Sequence, residues 1–301
     1  MDLSALGLSA VLAVTPPAVV PGGPVPSSAP GAVPTVVARQ GAALTGWADY
    51  LDAVAAADLV AVGEKHDEAA HHRVQAEVLV EMALRGRDMV VALEMATPDD
   101  QPTLDAFLAG TMSETDFAAW WDRTWGYSYA LYRPIFDAAR AVGIPVAGIN
   151  APRALVKEVA RKGVAGLSPA DRAKLPASIQ ESADARYRAY VEASLDGHGP
   201  MPPDRRARMI EVQAVWNETM GENAARLAAT GRLVVVVAGQ GHAFYGAGVP
   251  ESAARRRPLK SVVVLPYPLD GGAMSLPDQL RALQDPASTD IALGDYFRLL
   301  P

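Results

Sequence analysis

From Leu59 onward the chain alternates between short runs that are apolar at every position and longer stretches in which apolar residues recur at helical spacing. The runs are Leu59-Val60-Ala61-Val62, ending at Gly63, then Met89-Val90-Val91-Ala92-Leu93 and Pro145-Val146-Ala147-Gly148-Ile149. Arg232 to Ala238, with four consecutive valines, Ser261-Val262-Val263-Val264-Leu265 and Tyr296-Phe297-Arg298-Leu299 complete the set. Continuous apolar runs of this length fit strands covered on both faces, the pattern of parallel sheets. Among them, Trp47 to Ala57 predicts a helix, and Glu68 to Arg85 a long amphipathic one, with Val74, Val78 and Met82 at fourfold spacing and Asp67 placed as its N-cap. Strands alternating with helices predict an α/β fold, a mostly parallel central sheet flanked by helices. Two helical stretches, Thr103 to Arg140 and Arg153 to Leu227, are longer than a crossover needs and are expected to form a cap subdomain over one end of the sheet.

The first forty residues break this pattern. Met1 to Val20 is apolar and uncharged apart from Asp2, and Leu3 to Val14 has the length of a signal-peptide core, too short for a membrane span. Export to an extracytoplasmic compartment is the expectation, although the positive n-region is missing; a disordered apolar tail is the alternative. Pro16, Pro17, Pro21, Pro24, Pro26, Pro30 and Pro34 then block helix and ladder hydrogen bonds, so residues 1–40 are expected to be an apolar segment and linker. A single domain over 41–301 is expected to follow, its folded part starting near Gly41, with no repeat of solenoid length.

Half the residues are hydrophobic and a fifth charged, an ordinary globular balance. The net charge of −7 argues against nucleic acid, whose phosphates reward clustered Lys and Arg. The tight run Arg255-Arg256-Arg257 is read as a solvated loop. The absence of cysteine removes disulfides, thiolate metal sites, cysteine nucleophiles, covalent haem attachment and any lipid anchor on a cysteine.

Chemistry gathers where the apolar runs stop. The first ends in Gly63-Glu64-Lys65-His66-Asp67, the second in Glu94, the third in Asn150 followed by Ala151-Pro152-Arg153, the fourth in Gly239-Gln240-Gly241-His242. Parallel strands point one way, so these ends share one edge, where open α/β sheets bind ligands. Singly, each residue reads as a cap or a satisfied core residue; together, polar groups at the ends of apolar strands need water, a metal or a ligand. Gly63-x-x-His66 and Gly239-x-x-His242 repeat a pattern in which glycine allows a sharp turn and histidine follows. Glu64, His66, Glu94 and His242 could hold a divalent cation through N and O ligands.

Six aromatic residues, Trp120, Trp121, Trp125, Tyr127, Tyr129 and Tyr132, fall within thirteen positions. They form either a flat platform for a planar ligand or a helical core with amphipathic tyrosines. A haem needs such walls, an axial ligand and cations for its propionates; Arg123, Arg133 and Arg153 are available. His71 and His72 start the long helix, where His71 is in register to pack. His198 sits in the loop Asp196-Gly197-His198-Gly199-Pro200-Met201-Pro202 and is either an axial candidate or solvated.

Taken in order, several segments resemble the ChaN-like haem-binding family: Val62-Gly63-Glu64-Lys65-His66-Asp67 with His71-His72, Leu93-Glu94-Met95, Asp100-Gln101-Pro102, Trp121-Asp122-Arg123-Thr124-Trp125-Gly126 and Tyr132-Arg133-Pro134. So do Gly148-Ile149-Asn150-Ala151-Pro152-Arg153, His198-Gly199-Pro200-Met201-Pro202, Gln213-Ala214-Val215-Trp216 and Ala238-Gly239-Gln240-Gly241-His242. The resemblance covers roughly Leu59 to Leu265. It implies an α/β sandwich with a helical cap, non-covalent haem binding and a link to iron uptake outside the cytoplasm. It also implies a tyrosine ligand, for which Tyr127, Tyr129 and Tyr132 are the candidates. The expected partners are haem and, in a homodimer, a second copy of the chain. Family members are often lipoproteins, from which this cysteine-free chain departs. The wider superfamily resembles Tiki-type metalloproteases and erythromycin esterase-like hydrolases. That implies a second reading: Glu64, His66, Glu94 and His242 hold a divalent transition metal or act as acid and base in a hydrolase, while Asn150 and Arg153 orient the substrate.

Overall fold

A computed structural model describes residues 34–197, 199–269, 274–284 and 292–300. The apolar N-terminal segment, the prolines up to Pro30 and His198 lie outside the described residues. Eight strands form one sheet: β1 Val36–Ala38, β2 Leu44–Thr45, β3 Leu59–Glu64, β4 Met89–Leu93, β5 Val146–Gly148, β6 Leu233–Gly239, β7 Ser261–Pro268 and β8 Tyr296–Leu300. Their order is β2-β1-β8-β7-β3-β6-β4-β5. From β8 to β5 every neighbouring pair is parallel, while β1 and β2 are added antiparallel at one edge. All six apolar runs are strands. β1 and β2 are not foreseen: Val36 pairs with Arg298 and Val37 with Phe297, ahead of the Gly41 start inferred from proline density. A strand of two or three residues is too short to show a period.

Successive strand residues face opposite sides. Val60, Val62, Val91, Leu93, Val235 and Val237 pack on one face with α1 Trp47–Ala55, α2 Ala69–Leu84, α3 Gln101–Leu108, α4 Glu114–Trp125 and α5 Tyr129–Val142. Leu59, Ala61, Val90, Ala92, Val234 and Val236 pack on the other. That face is covered by α8 Ala185–Asp196, the C-terminal half of α9 Pro203–Ala228, α10 Val249–Arg256 and α11 Leu276–Leu283, numbered after α6 Arg153–Lys162 and α7 Pro169–Arg172. Each fully buried valine contributes about 1.5–3 kcal/mol. A slip of one residue would turn every strand-end side chain to the wrong layer.

The two long helical stretches divide. Helices α3 to α5 are one flanking layer, continuous with the core under β3, β4 and β6. Helix α6 and the segments around it form a satellite core with the N-terminal half of α9, built on Leu155, Val156, Val159, Leu175, Val212 and Val215. Among the described residues, no helix is long and apolar enough to cross a membrane.

Three local expectations change. Asp67 does not cap α2: the N-cap is Glu68, without a side-chain cap. The preceding loop is tied instead by the Lys65 N–H, which donates to His71 Nδ1 at 3.0 Å. Burial, together with Lys65 and His72, holds the His71 pKa down to about 3, so the ring stays neutral and keeps that lone pair. The basic run is not a solvated loop. Arg255 and Arg256 lie on α10 and both pair with the buried carboxylate of Glu218 on α9. Gly63 is not a turn residue but the penultimate residue of β3. A Cβ there would meet Leu265 Cδ2 at 2.7 Å and Gln240 Cα at 2.9 Å, so glycine is required by close approach.

Candidate functional site

The central strands β3, β6 and β4 end level with one another. Glu64 lies opposite Gly239, and the Glu94 N–H donates to Val237 O at 3.1 Å. Strand alternation then decides what each acid faces. Glu64 continues the side of Val60 and Val62, towards α4 and α5; Glu94 continues the side of Val90 and Ala92, towards α9. The two carboxylates therefore meet over the sheet edge from opposite layers. One donor atom each from Glu64, His66 and Glu94 lie within 4.8 Å of one another, and His242 Nε2 stands 3.4 Å from Glu94 Oε1.

On the Glu64 side, Oε1 is 2.5 Å from His66 Nδ1 and receives a long contact from the Tyr132 hydroxyl at 3.5 Å. Tyr132 in turn accepts from Trp125 Nε1 at 3.0 Å. Glu64 Oε2 is buried with no partner. Burial opposes charge on His66, but Glu64 beside it, with Glu94 and Asp67 further off, raises its pKa to about 9. The His66 ring stands edge-on to Trp125 at 5.0 Å and tilted against Tyr127 at 5.1 Å. Gly126, with φ 95°, ends α4 between these two aromatics and bends the chain over His66. Trp125 and Tyr127 are half-buried. Arg153 donates to Trp125 O at 2.7 Å, its guanidinium 5.5 Å from the indole centre. Burial, then the acids Asp67, Glu64 and Glu94, push the Tyr127 phenol up.

On the Glu94 side both carboxylate oxygens are engaged, while Gln213 Oε1 further back has no partner. Glu94 Oε2 accepts the Gly239 N–H at 2.6 Å. His242 Nδ1 lies 2.7 Å from Asn217 Oδ1, and Asn217 and Gln213 both reach the Tyr187 hydroxyl. Burial raises the Glu94 pKa, but His242, His66 and the Gly239 amide outweigh it and hold the acid down to about 2. Asn150 braces the main chain: its Nδ2 donates to Glu94 O at 2.8 Å and its Oδ1 accepts from Ala151 N at 2.7 Å.

Of the candidate residues, Glu64, His66, Glu94, His242, Asn150, Tyr127, Tyr132 and Arg153 are brought to this edge. Two are not. Tyr129 is buried among Phe107, Phe117 and Phe136, and Arg133 is exposed beside it, paired with Glu114 and Asp137. The aromatic run is thus divided. Trp121, Tyr129 and Tyr132 are core, and only Trp125 and Tyr127 present rings at the rim. Residues not singled out from the sequence are Tyr187, Asn217 and Gln75, the last a partner of His72. His72 Nδ1 meets Gln75 Oε1 at 3.0 Å, and the ring packs on Tyr132 at 4.1 Å. The available signal was polar residues at i and i+4, Gln213 and Asn217, inside the apolar stripe of α9.

A profile of the haem-binding uptake family of the Tiki superfamily, ChaN, matches residues 50–252. No curated protein matches the chain. Among solved structures, ChaN of Campylobacter jejuni, described with cofacial haem binding, superposes with a TM-score of 0.63 at 17% identity, covering 87% of this chain and 95% of that one. The type III effector HopBA1 gives 0.49 at 16% identity, over 83% of this chain and 90% of its own. A mutant of the erythromycin esterase EreC in its open conformation gives 0.48 at 12%, over 89% and 97%. The first of these likenesses shows a shared fold.

Proposed function

The chain belongs to the haem-binding uptake family of the Tiki superfamily, and from that premise we propose that it binds haem non-covalently at the rim of this edge, for haem or iron uptake outside the cytoplasm. The observation that carries the reading is the half-buried aromatic corner. Trp125 and Tyr127 stand half-buried around His66, with Arg153 beside them for a propionate. These residues fit haem. Burial, then the neighbouring carboxylates, keep the Tyr127 phenol protonated, and ferric iron is a cation that could take the proton's place there. Of the three candidate tyrosines we take Tyr127 as the ligand, since its ring is half-buried beside His66, whereas Tyr132 is buried and Tyr129 lies in the core. Bound haem would supply the redox-active iron, while the chain would supply the aromatic wall, a phenol oxygen and the charge balance.

Haemin titration tests this. The expected result is a shifted Soret band saturating near one equivalent, lost or displaced in Tyr127→Ala. An unshifted spectrum at stoichiometric protein would end the proposal. A homodimer is part of the same reading, checked by size-exclusion chromatography with and without haemin. Cell fractionation checks export.

A second reading is favoured by one atom. Glu64 Oε2 is buried without a partner, in a cluster whose donors are two carboxylates and an imidazole. That is an O/N donor set for a divalent transition metal, with His242 next to it, and it fits such an ion. The metal would polarise a substrate or activate water, and the chain would act as a hydrolase. Elemental analysis after loading decides: one metal per chain, lost in His66→Ala, supports it, and none at saturating metal removes it.

A further inference from the structure

Tyr187, Gln213, Asn217 and His242 are each at least nine-tenths buried, with 2%, 3%, 5% and 1% exposure, so the donors and acceptors that meet among them must match, Gln213 Oε1 being the side-chain atom left without a partner. The matching can be worked out atom by atom. The Tyr187 hydroxyl has one proton and donates it to Gly241 O at 2.9 Å. It therefore accepts from both amides, from Asn217 Nδ2 at 2.9 Å and from Gln213 Nε2 at 3.2 Å. That fixes the Asn217 amide, nitrogen towards Tyr187 and oxygen towards His242. Asn217 Oδ1 can only accept, so the ring atom 2.7 Å away, His242 Nδ1, carries a proton. The other polar neighbour of Nδ1 is Gln213 Nε2 at 3.3 Å; one of its two hydrogens goes to Tyr187, and the other competes for Nδ1 only over this longer contact, against the acceptor at 2.7 Å.

We infer that Asn217, anchored by Tyr187, is a positioning residue that keeps a proton on His242 Nδ1 and commits His242 Nε2 to the carboxylate cluster. This rests on reading that cluster as the ligand site. A ring without this constraint could offer either nitrogen to Glu94. With it, the atom facing Glu94 is Nε2, the one that carries the lone pair of the neutral ring and can offer it to a cation. Such outer partners set the tautomer of ligating histidines elsewhere. Without Asn217, the remaining neighbour of Nδ1 is a donor, which favours a lone pair there and moves the proton to Nε2, towards Glu94.

The test is a two-bond proton–nitrogen correlation spectrum of the full chain labelled with 15N-histidine, recorded without haem or metal. The His242 signals are assigned by their loss in His242→Gln. The expected result is His242 Nδ1 in the protonated range in the wild type and in Gln213→Met. It should shift to the unprotonated range in Asn217→Leu and return to the protonated range in Asn217→Asp, which retains the acceptor. An unprotonated Nδ1 in the wild type overturns the inference, as does a protonated Nδ1 in Asn217→Leu. Should Asn217→Leu fail to fold, the wild-type and Asn217→Asp spectra still decide. Because no ligand is present, a failed haemin titration and a failed tautomer assignment are separate results.

Discussion

The two sides of the sheet edge carry the same pair of residue types, a glutamate and a histidine, and treat them differently. Around Glu94 both carboxylate oxygens are engaged, one by a backbone amide and one by an imidazole that a buried amide holds from behind. Around Glu64 the surroundings are aromatic and incomplete, with one carboxylate oxygen unpartnered and two rings left half-buried. A buried polar atom without a partner costs about 1–3 kcal/mol, and a carboxylate oxygen left open at the edge, beside a carboxylate with both oxygens engaged, marks where something else fits. On the proposed reading, the Glu94 side holds and the Glu64 side receives.

The contrast can be broken most directly by stability. Glu94→Gln removes a charge from a closed buried pair and is expected to cost about 3 kcal/mol. Glu64→Gln, acting on an acid already short of a partner, is expected to cost about 1 kcal/mol. Urea denaturation measures both, and equal losses would erase the distinction. Haem affinity sharpens it next. Tyr127→Ala should weaken haemin about tenfold, or about 1.4 kcal/mol, while Tyr129→Phe, in the core, should leave affinity unchanged.

A third test uses pH, because the two sides should fail at opposite ends. The His66 pKa is raised from its ordinary 6.5 to about 9, so its stabilisation is full below 6.5 and lost as pH rises through 9. The Glu94 pKa is lowered from 4.5 to about 2, so its stabilisation is full above 4.5 and lost as pH falls through 2. The stability gap between wild type and His66→Gln should therefore close in alkali, and that for Glu94→Gln in acid. Gaps closing at the same end would contradict the assignment. The smallest effect is expected at Asp67, which caps nothing: Asp67→Ala should change stability by about 0.5 kcal/mol or less, read from the thermal midpoint.

Much of this edge is legible in the sequence because it depends on strands. Apolar runs locate β3, β4, β5 and β6, and the polar residues that end them meet because parallel strands end together. What is illegible depends on side-chain partners far apart in the chain. Nothing local distinguishes Tyr129, packed on Phe107 and Phe117, from Tyr127, left at the rim; the helix start at Tyr129 turns them apart. Asn217 and Tyr187 matter only through a histidine 25 and 54 or more positions from them or its neighbour, a relation no periodicity encodes. The cap at Asp67 fails for a similar reason, since His71 ties the loop before the helix begins.

Gly63 has a consequence of its own. Packed against Leu265 and the main chain of Gln240, it leaves no slack between the strand that delivers Glu64 and the turn that delivers His242. The gauge between the two flanks is therefore cut into the main chain rather than set by rotamers. Side chains on either flank can be exchanged while that spacing persists, so a descendant of this scaffold could change its cargo without rebuilding its frame.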